Sequence, residues 1–219
     1  MNSVVAGGIE TNPAGQSPMN MPRRFSVAEL AATPWKNGGG STREIACWPP
    51  GAGFEGFDWR VSIARIATSA PFSQFSGVDR IITLLDGDGV CLQGPDLDHR
   101  LATPLAPFAF SGDVAIDCTL LGSPSSDFNV MSRRGRVRAD LRVLRGPAGL
   151  PVELPVELPV ELAMASHGLL LAQSGRWQAD DQIFLAGQGL WWAEAPRAWQ
   201  LTSRDVDAVL IAVRWQSIP

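Results

Sequence analysis

Glycine, proline, aspartate and serine cut this chain into short apolar runs, and that punctuation limits what it can fold into. DWRVSIARI, DRIITLLDGDGVCL, APFAFSG, AIDCTLLG, VRADLRVL, HGLLLAQSG, DQIFLAGQGLWWA, AWQLTS and AVLIAVRW succeed one another at short spacing. Runs of this length bounded by turn residues are strand signals. RRFSVAEL, ahead of them, reads as a strand or a short turn of helix. No long amphipathic helix can be drawn anywhere; ASHGLLLAQ comes nearest and is short. The expected fold class is all-β, a sandwich or barrel of antiparallel strands with little helix.

Two features bear on how the strands are organised. ITLLDGDGVCL, from Ile82 to Leu92, resembles IFLAGQGLWW, from Ile183 to Trp192, with Gly87 and Gly89 standing where Gly187 and Gly189 recur. Each segment reads as a strand, a GxG turn and a second strand, a hairpin in which glycine supplies positive φ. Two similar barrels side by side would explain the echo. Between them lies PVELPVELPVEL, residues 151 to 162, three copies of one tetrapeptide. Proline at every fourth residue ends helices and fits poorly in a central strand, so the segment reads as an extended connector. The expected layout is a flexible tail over 1–21 and a first barrel over about 22–145. A linker over 146–162 and a second barrel over about 163–219 follow.

At 219 residues the chain can bury roughly 70% of its unfolded surface, enough for a sizeable core. Its net charge is −4, which argues against nucleic acid or an anionic membrane as partner. The three cysteines, Cys47, Cys91 and Cys118, are odd in number and form no CxxC pair, which favours a reducing compartment, the cytoplasm. Only His99 and His167 are available as imidazoles, too few for a three-histidine metal site, and no GxSxG elbow is present. Tyrosine is absent. No metal and no cofactor are expected.

The polar residues that remain concentrate in a few segments. TPWKNGGGSTREI holds Lys36, the single lysine among 18 basic residues. It is followed by Asn37, Gly38 and two more glycines, whose bare backbone N–H groups can approach an anion or a carbonyl. In FDWRVSIARI, a strand places Trp59, Val61 and Ile63 on one face and Arg60, Ser62, Ala64 and Ile66 on the other. An interior Arg60 would need an acidic partner or an anionic ligand. In SDFNVMSRRGRVR, Asp127, Asn129, Met131 and Arg133 share a face. APFAFSGD puts Phe108 and Phe110 on one apolar wall. In PFSQFSGVDR, Phe72 and Phe75 read as core or pocket wall, and Asp79 with Arg80 as the brace of a turn.

TPWKNGGGSTREI, FDWRVSIARI, PFSQFSGVDR, PFAFSGD and DFNVMSRRG, in this order, resemble the HutD family, which includes the Ves-type proteins. The resemblance is strong from Arg24 to Gly135. Ser76 stands where the family pattern has a proline, and the PVEL expansion is peculiar to this chain. The resemblance implies a cupin-type double barrel, a bicupin, and an association with bacterial histidine breakdown. There it implies a metal-independent binder or governor of the pathway, with N-formylglutamate as a candidate ligand; the Ves-type branch implies a cold- or stress-induced role.

A glutamate-like ligand matches the polar set. Lys36 and Arg60 would meet its carboxylates, and Ser62 and Asn129 its amide. Phe110 and Met131 would cover the carbon chain, with Asn37, Gly38 and Arg133 completing the site. No catalytic residue is assigned. Two rival expectations stand beside this one. A metal-free cupin enzyme would act on a formyl- or formimino-amino acid, with Lys36 or Asp127 as base. An interaction module would dock a partner through the PVEL segment or an edge strand. Edge strands could also pair two copies into a homodimer.

Overall fold

The computed structural model describes residues 21–146, 156–158 and 165–218. In chain order its strands are β1 Arg23–Ser26, β2 Ala32–Pro34, β3 Gly40–Trp48, β4 Trp59–Ile66, β5 Ala70–Pro71, β6 Val78–Asp86, β7 Val90–Gly94, β8 Leu97–Leu101, β9 Pro107–Ser111 and β10 Asp117–Leu120. They continue as β11 Ser125–Arg133, β12 Val137–Arg145, β13 Val156–Leu158, β14 His167–Ser174, β15 Trp177–Ala179, β16 Gln182–Phe184, β17 Gln188–Trp192, β18 Leu201–Ser203 and β19 Val209–Ser217. Among the described residues helix is confined to a 3-10 turn at Val27–Glu29 and a single turn, α1, at Gly53–Gly56. The all-β expectation holds, and HGLLLAQ, the nearest rival for a helix, is the strand β14.

The strands form four antiparallel sheets stacked in the order outer, inner, inner, outer. The first outer sheet is β5-β10-β7-β8 and the first inner sheet β2-β3-β4-β11-β6-β9. The second inner sheet is β1-β17-β14-β19-β12 and the second outer sheet β13-β18-β15-β16. Ile66, Ile82 and Leu84 pack against Val90, Leu92, Leu101 and Cys118 inside the first half. Leu170, Leu190 and Leu210 pack against Trp177, Phe184 and Leu201 inside the second. The two inner sheets meet back to back through Trp59, Val61, Phe128 and Val130 on one side and Leu169, Leu171, Ile211, Val213 and Trp215 on the other. Strand β19 is buried on both faces, which is why VLIAV lacks polar alternation.

The two halves repeat one topology. The order β4-β11-β6-β9 in one inner sheet matches β12-β19-β14-β17 in the other, and β5-β10-β7-β8 matches β13-β18-β15-β16. A bulge anchors the match residue by residue. On β6 the ladder to β11 skips Leu85, and on β14 the ladder to β19 skips Gln173. Leu84 is therefore the equivalent of Ala172, Arg80 of Gly168, Asp127 of Leu210 and Phe110 of Trp192.

The duplication is real, but it is not the one that the GxG echo suggested. Neither GxG segment is a hairpin. Gly87 and Gly89 carry the chain from the first inner sheet to its outer sheet, and Gly187 and Gly189 carry it from the second outer sheet inward. Glycine suits such corners for the same reason that it suits hairpins: Gly87 and Gly89 both have φ of 91°. The four sheets remain open at their edges, so the described strands build two sandwiches and no closed barrel.

The partition of the chain also differs in detail. β1 pairs with β17 and β12 with β19, so both belong to the sheet of the second half. In the PVEL segment Val156–Leu158 pairs with β18 as an edge strand, the setting in which flanking prolines are tolerated. The rest of that repeat and residues 1–20 of the expected tail lie outside the described residues.

Candidate functional site

The face of the first inner sheet that looks toward its outer sheet carries a block of buried polar side chains. Strand pairing arranges it in three rows. Cys47, Arg60, Met131, Arg80 and Phe110 lie side by side across β3, β4, β11, β6 and β9. The next row is Glu44, Ser62, Asn129, Ile82 and Phe108, and the third is Thr42, Ala64, Asp127 and Leu84. Rows on one face are about 7 Å apart. Arg60, Ser62, Phe110, Asn129 and Met131, all expected at the site, thus come together, and all five are buried.

Arg80 is the centre of this block. It is only 6% exposed, and its guanidinium carbon lies 4.9 Å from the ring of Phe110, 5.2 Å from Phe72 and 5.7 Å from Phe75. Its Nε donates a long hydrogen bond of 3.4 Å to Asn129 Oδ1, and its two η nitrogens make none among the described residues. No ion pair neutralises it there, and burial lowers its pKa to about 10. Aromatic faces on several sides leave the in-plane edge of the guanidinium as the direction open to a partner.

Arg60 is the second cation. Its Nε donates to Glu44 Oε2 at 2.6 Å, and its guanidinium lies 5.0 Å from the Phe54 ring. Phe54 and Phe75 pack on each other at 5.8 Å, so one aromatic pair from two different loops covers both arginines.

In sequence, Asp79 and Arg80 read together as the brace of a turn. Adjacent strand residues face opposite ways, and only Asp79 fits that role: it receives Arg134, which also binds Asp113. The Arg134 bond to Asp113, with those from the Gly77 N–H and the Ser111 hydroxyl, holds the Asp113 pKa at about 2. The signal missed was phase. In VDRIITLL, Arg80 alternates with Ile82 and Leu84, both core residues.

Arg133 does not join the site. Its guanidinium donates to the carbonyls of Phe54, Glu55, Phe57 and Ser76. It lies at the end of β11, where the two loops converge, and holds the loops that carry Phe54 and Phe75. Lys36, Asn37 and Gly38 form the turn between β2 and β3. That turn lies at the Gly40–Ile66 end of the ladder, about 20 Å along β4 from Arg60. Lys36 is exposed and makes no hydrogen bond or ion pair among the described residues. Asn37 Oδ1 accepts from the Gly39 N–H, and Gly38 adopts φ of 71°. The part of this turn that reaches the site is Trp35, packed edge-on against Phe72 at 6.5 Å.

A groove of about 520 Å3 opens on the other side of β6 and β9, between them and β12. Ile81, Pro107, Ala109 and Leu141 line it, and its Asp140 is already bound by Arg142 and Arg214. Arg80 and Phe110 border it as well, whereas its remaining charged side chains, Asp79, Arg138 and Asp140, are exposed or half-buried, so the interior block around Arg80 is the better candidate. Among the described residues no three His, Cys, Asp or Glu side chains gather to hold a metal ion.

The HutD family model matches residues 27–211. The chain belongs to the HutD family. Protein Ves of Citrobacter koseri is 33% identical over 192 residues, covering 87% of this chain and 93% of its own length. Among solved structures, a conserved protein of unknown function from Pseudomonas aeruginosa PAO1 superposes with a TM-score of 0.74 at 35% identity, covering 90% of this chain and all of its own. HutD from Pseudomonas fluorescens SBW25 gives the same TM-score at 28% identity, covering 91% of this chain and all of its own. The fold of this HutD-family chain is cupin-like: a cupin 2 conserved barrel domain protein from Leptotrichia buccalis matches 89% of it, and 96% of its own length, at a TM-score of 0.50 and 8% identity. No helix among the described residues is long and apolar enough to cross a membrane.

Proposed function

We propose that this protein is a bicupin that binds a small glutamate-like anion in its first half and so modulates bacterial histidine utilisation. One observation carries the reading: Arg80 is buried, caged by three aromatic rings, and its η nitrogens have no hydrogen-bond acceptor among the described residues. A buried cation without a partner costs several kcal/mol, and a carboxylate ligand would offset that cost. Arg60, with Nε already held by Glu44, takes a second carboxylate on its η nitrogens, which make no hydrogen bond among the described residues. Asn129 and Ser62 read the amide, and Met131 and Phe110 line the carbon chain. Lys36, exposed on the β2–β3 turn about 20 Å along β4 from Arg60, is left outside these contacts. The histidine-utilisation part of the proposal is carried over from the HutD family, with N-formylglutamate as the candidate ligand to be tested.

Thermal unfolding with N-formylglutamate, glutamate, urocanate or buffer alone tests this in the wild type, Arg80→Met and Lys36→Met. A ligand at 100 times its dissociation constant adds about 2.7 kcal/mol of apparent stability. A shift with one ligand that Arg80→Met abolishes supports the site, and its loss in Lys36→Met adds the turn to it. A shift that survives Arg80→Met places the site elsewhere, and no shift with any ligand rejects the glutamate-like class.

A further inference from the structure

One member of the polar block is left without a role by an anion on the two arginines. Asp127 is 3% exposed, set between Ala64 of β4 and Leu84 of β6. It makes no hydrogen bond among the described residues, and its Oδ1 is fully buried without a partner. Buried carboxylates ordinarily accept several hydrogen bonds, so this one is exceptional.

The groups around it are few. Arg80 approaches from β6, with Arg60 of β4 beyond it, itself bound to Glu44 of β3. Cys118 of β10 faces it as a thiol, pushed up to about 12 by burial and by Asp127 itself. Val90 and Leu92 of β7 and Leu101 of β8 bring only apolar side chains to this core. On its own strand the same-face neighbours are the uncharged Asn129 and Ser125, the latter bonded to Gly89. The charge of Arg80 is therefore what favours an ionised Asp127 in the free protein.

An anion seated on Arg80 cancels that support and adds negative charge beside the carboxyl, and both changes favour protonation. A protonated Asp127 has an O–H that needs an acceptor. The described residues provide none bonded to it, and a carboxylate on Arg80 is one. We propose that the site takes up its anion together with a proton, the Asp127 carboxyl donating a hydrogen bond to the carboxylate held by Arg80. The ligand end that enters is thus a carboxylate with a free oxygen. This inference rests on the anion-binding reading of Arg80. Burial already raises the Asp127 pKa to about 7, against the pull of Arg80, so the uptake falls in an accessible range.

Linkage gives the sign. Affinity is highest and flat below the free-protein pKa of about 7, then falls up to tenfold per pH unit as pH rises toward the higher pKa of the complex. Carbon-13 NMR of protein labelled at aspartate Cγ, with Asp127→Asn assigning the signal, follows the carboxyl directly. Titration from pH 5.5 to 9 is done without ligand, with acetate and with glutarate, in the wild type and Arg80→Met. The expected result is an Asp127 signal that titrates near neutrality and moves up by a pH unit or more with either probe, while probe affinity falls tenfold per unit. Asp127→Asn is expected to bind with affinity that does not change over this range. Binding that depends on Arg80 but leaves the Asp127 titration unmoved overturns this inference and spares the anion site. Failure of both probes to bind in an Arg80-dependent way overturns both.

Discussion

The two halves share one strand order and differ in what fills them. In the first half the inward rows hold Arg80, Asn129 and Asp127. At the equivalent places in the second half stand Gly168, Ala212 and Leu210. The space of the Arg80 side chain is occupied there by the Trp192 indole, the counterpart of Phe110: a Cβ on Gly168 would lie 2.2 Å from that ring. Trp177, Trp199 and Phe184 complete an apolar filling. Duplication thus leaves one half free to serve as a packed scaffold and the other free to carry uncompensated charge.

Substitutions at matched positions test that division. The largest effect is expected from Trp192→Ala, which empties the second interior and should cost about 3–5 kcal/mol in urea unfolding. Phe110→Ala, at the matched position, should cost less and instead weaken carboxylate binding. A smaller penalty for Trp192 than for Phe110 would break the comparison.

Next comes Asp127. Its folded pKa is raised to about 7 from an ordinary value near 3.9, so its contribution is intact below about pH 4 and lost as pH rises through 7. Asp127→Asn should therefore gain about 2–4 kcal/mol on the wild type between pH 4 and pH 8, read from urea midpoints at the two pH values. A constant difference between the two proteins would mean that Asp127 is ionised throughout. Gly168→Ala follows, at about 1–3 kcal/mol from overpacking against Trp192, measured by thermal unfolding. Arg133→Lys loses the fork that holds four carbonyls. It should cost about 1–2 kcal/mol and speed hydrogen exchange at residues 53–57 and 74–77, leaving the second half unchanged.

The smallest effect concerns the seam between the halves. Trp59 Nε1 donates to His167 Nδ1 at 3.2 Å, and Trp59 stacks on Trp215 at 4.3 Å. Burial lowers the His167 pKa, against the pull of Glu194 and Asp58. Its contribution is present above the ordinary histidine pKa of about 6.5 and is lost as pH falls below it. Between pH 7.5 and 5.5 the wild type should lose up to about 1 kcal/mol relative to His167→Gln, as urea midpoints would show.

Much of this was legible in the chain. Alternation in WRVSIARI placed Arg60 and Ser62 on one face, and in DFNVMSR it grouped Asp127, Asn129 and Met131, because side-chain direction along a strand follows from residue parity alone. Glycine and proline marked the breaks, because backbone geometry there is a property of the residue itself. Parity, however, does not say which face a sheet turns inward, or which strands lie next to one another. Arg80 was misread because only the ladder β4-β11-β6-β9 sets it beside Met131 and Phe110, with Phe72 and Phe75 of the β5–β6 loop folded over it. Arg133 was misread because strand parity ends with the strand, and the carbonyls that claim it come from residues more than 50 positions away. The true repeat was hidden for the same reason: its marker is a bulge, a feature of pairing between distant strands, whereas the GxG echo was a local likeness between two unrelated corners. The sequence by itself determined the strands and their two faces, through short-range sterics. The tertiary structure alone decided which charges are left without partners, since desolvation and pairing depend on neighbours that the chain brings from far away.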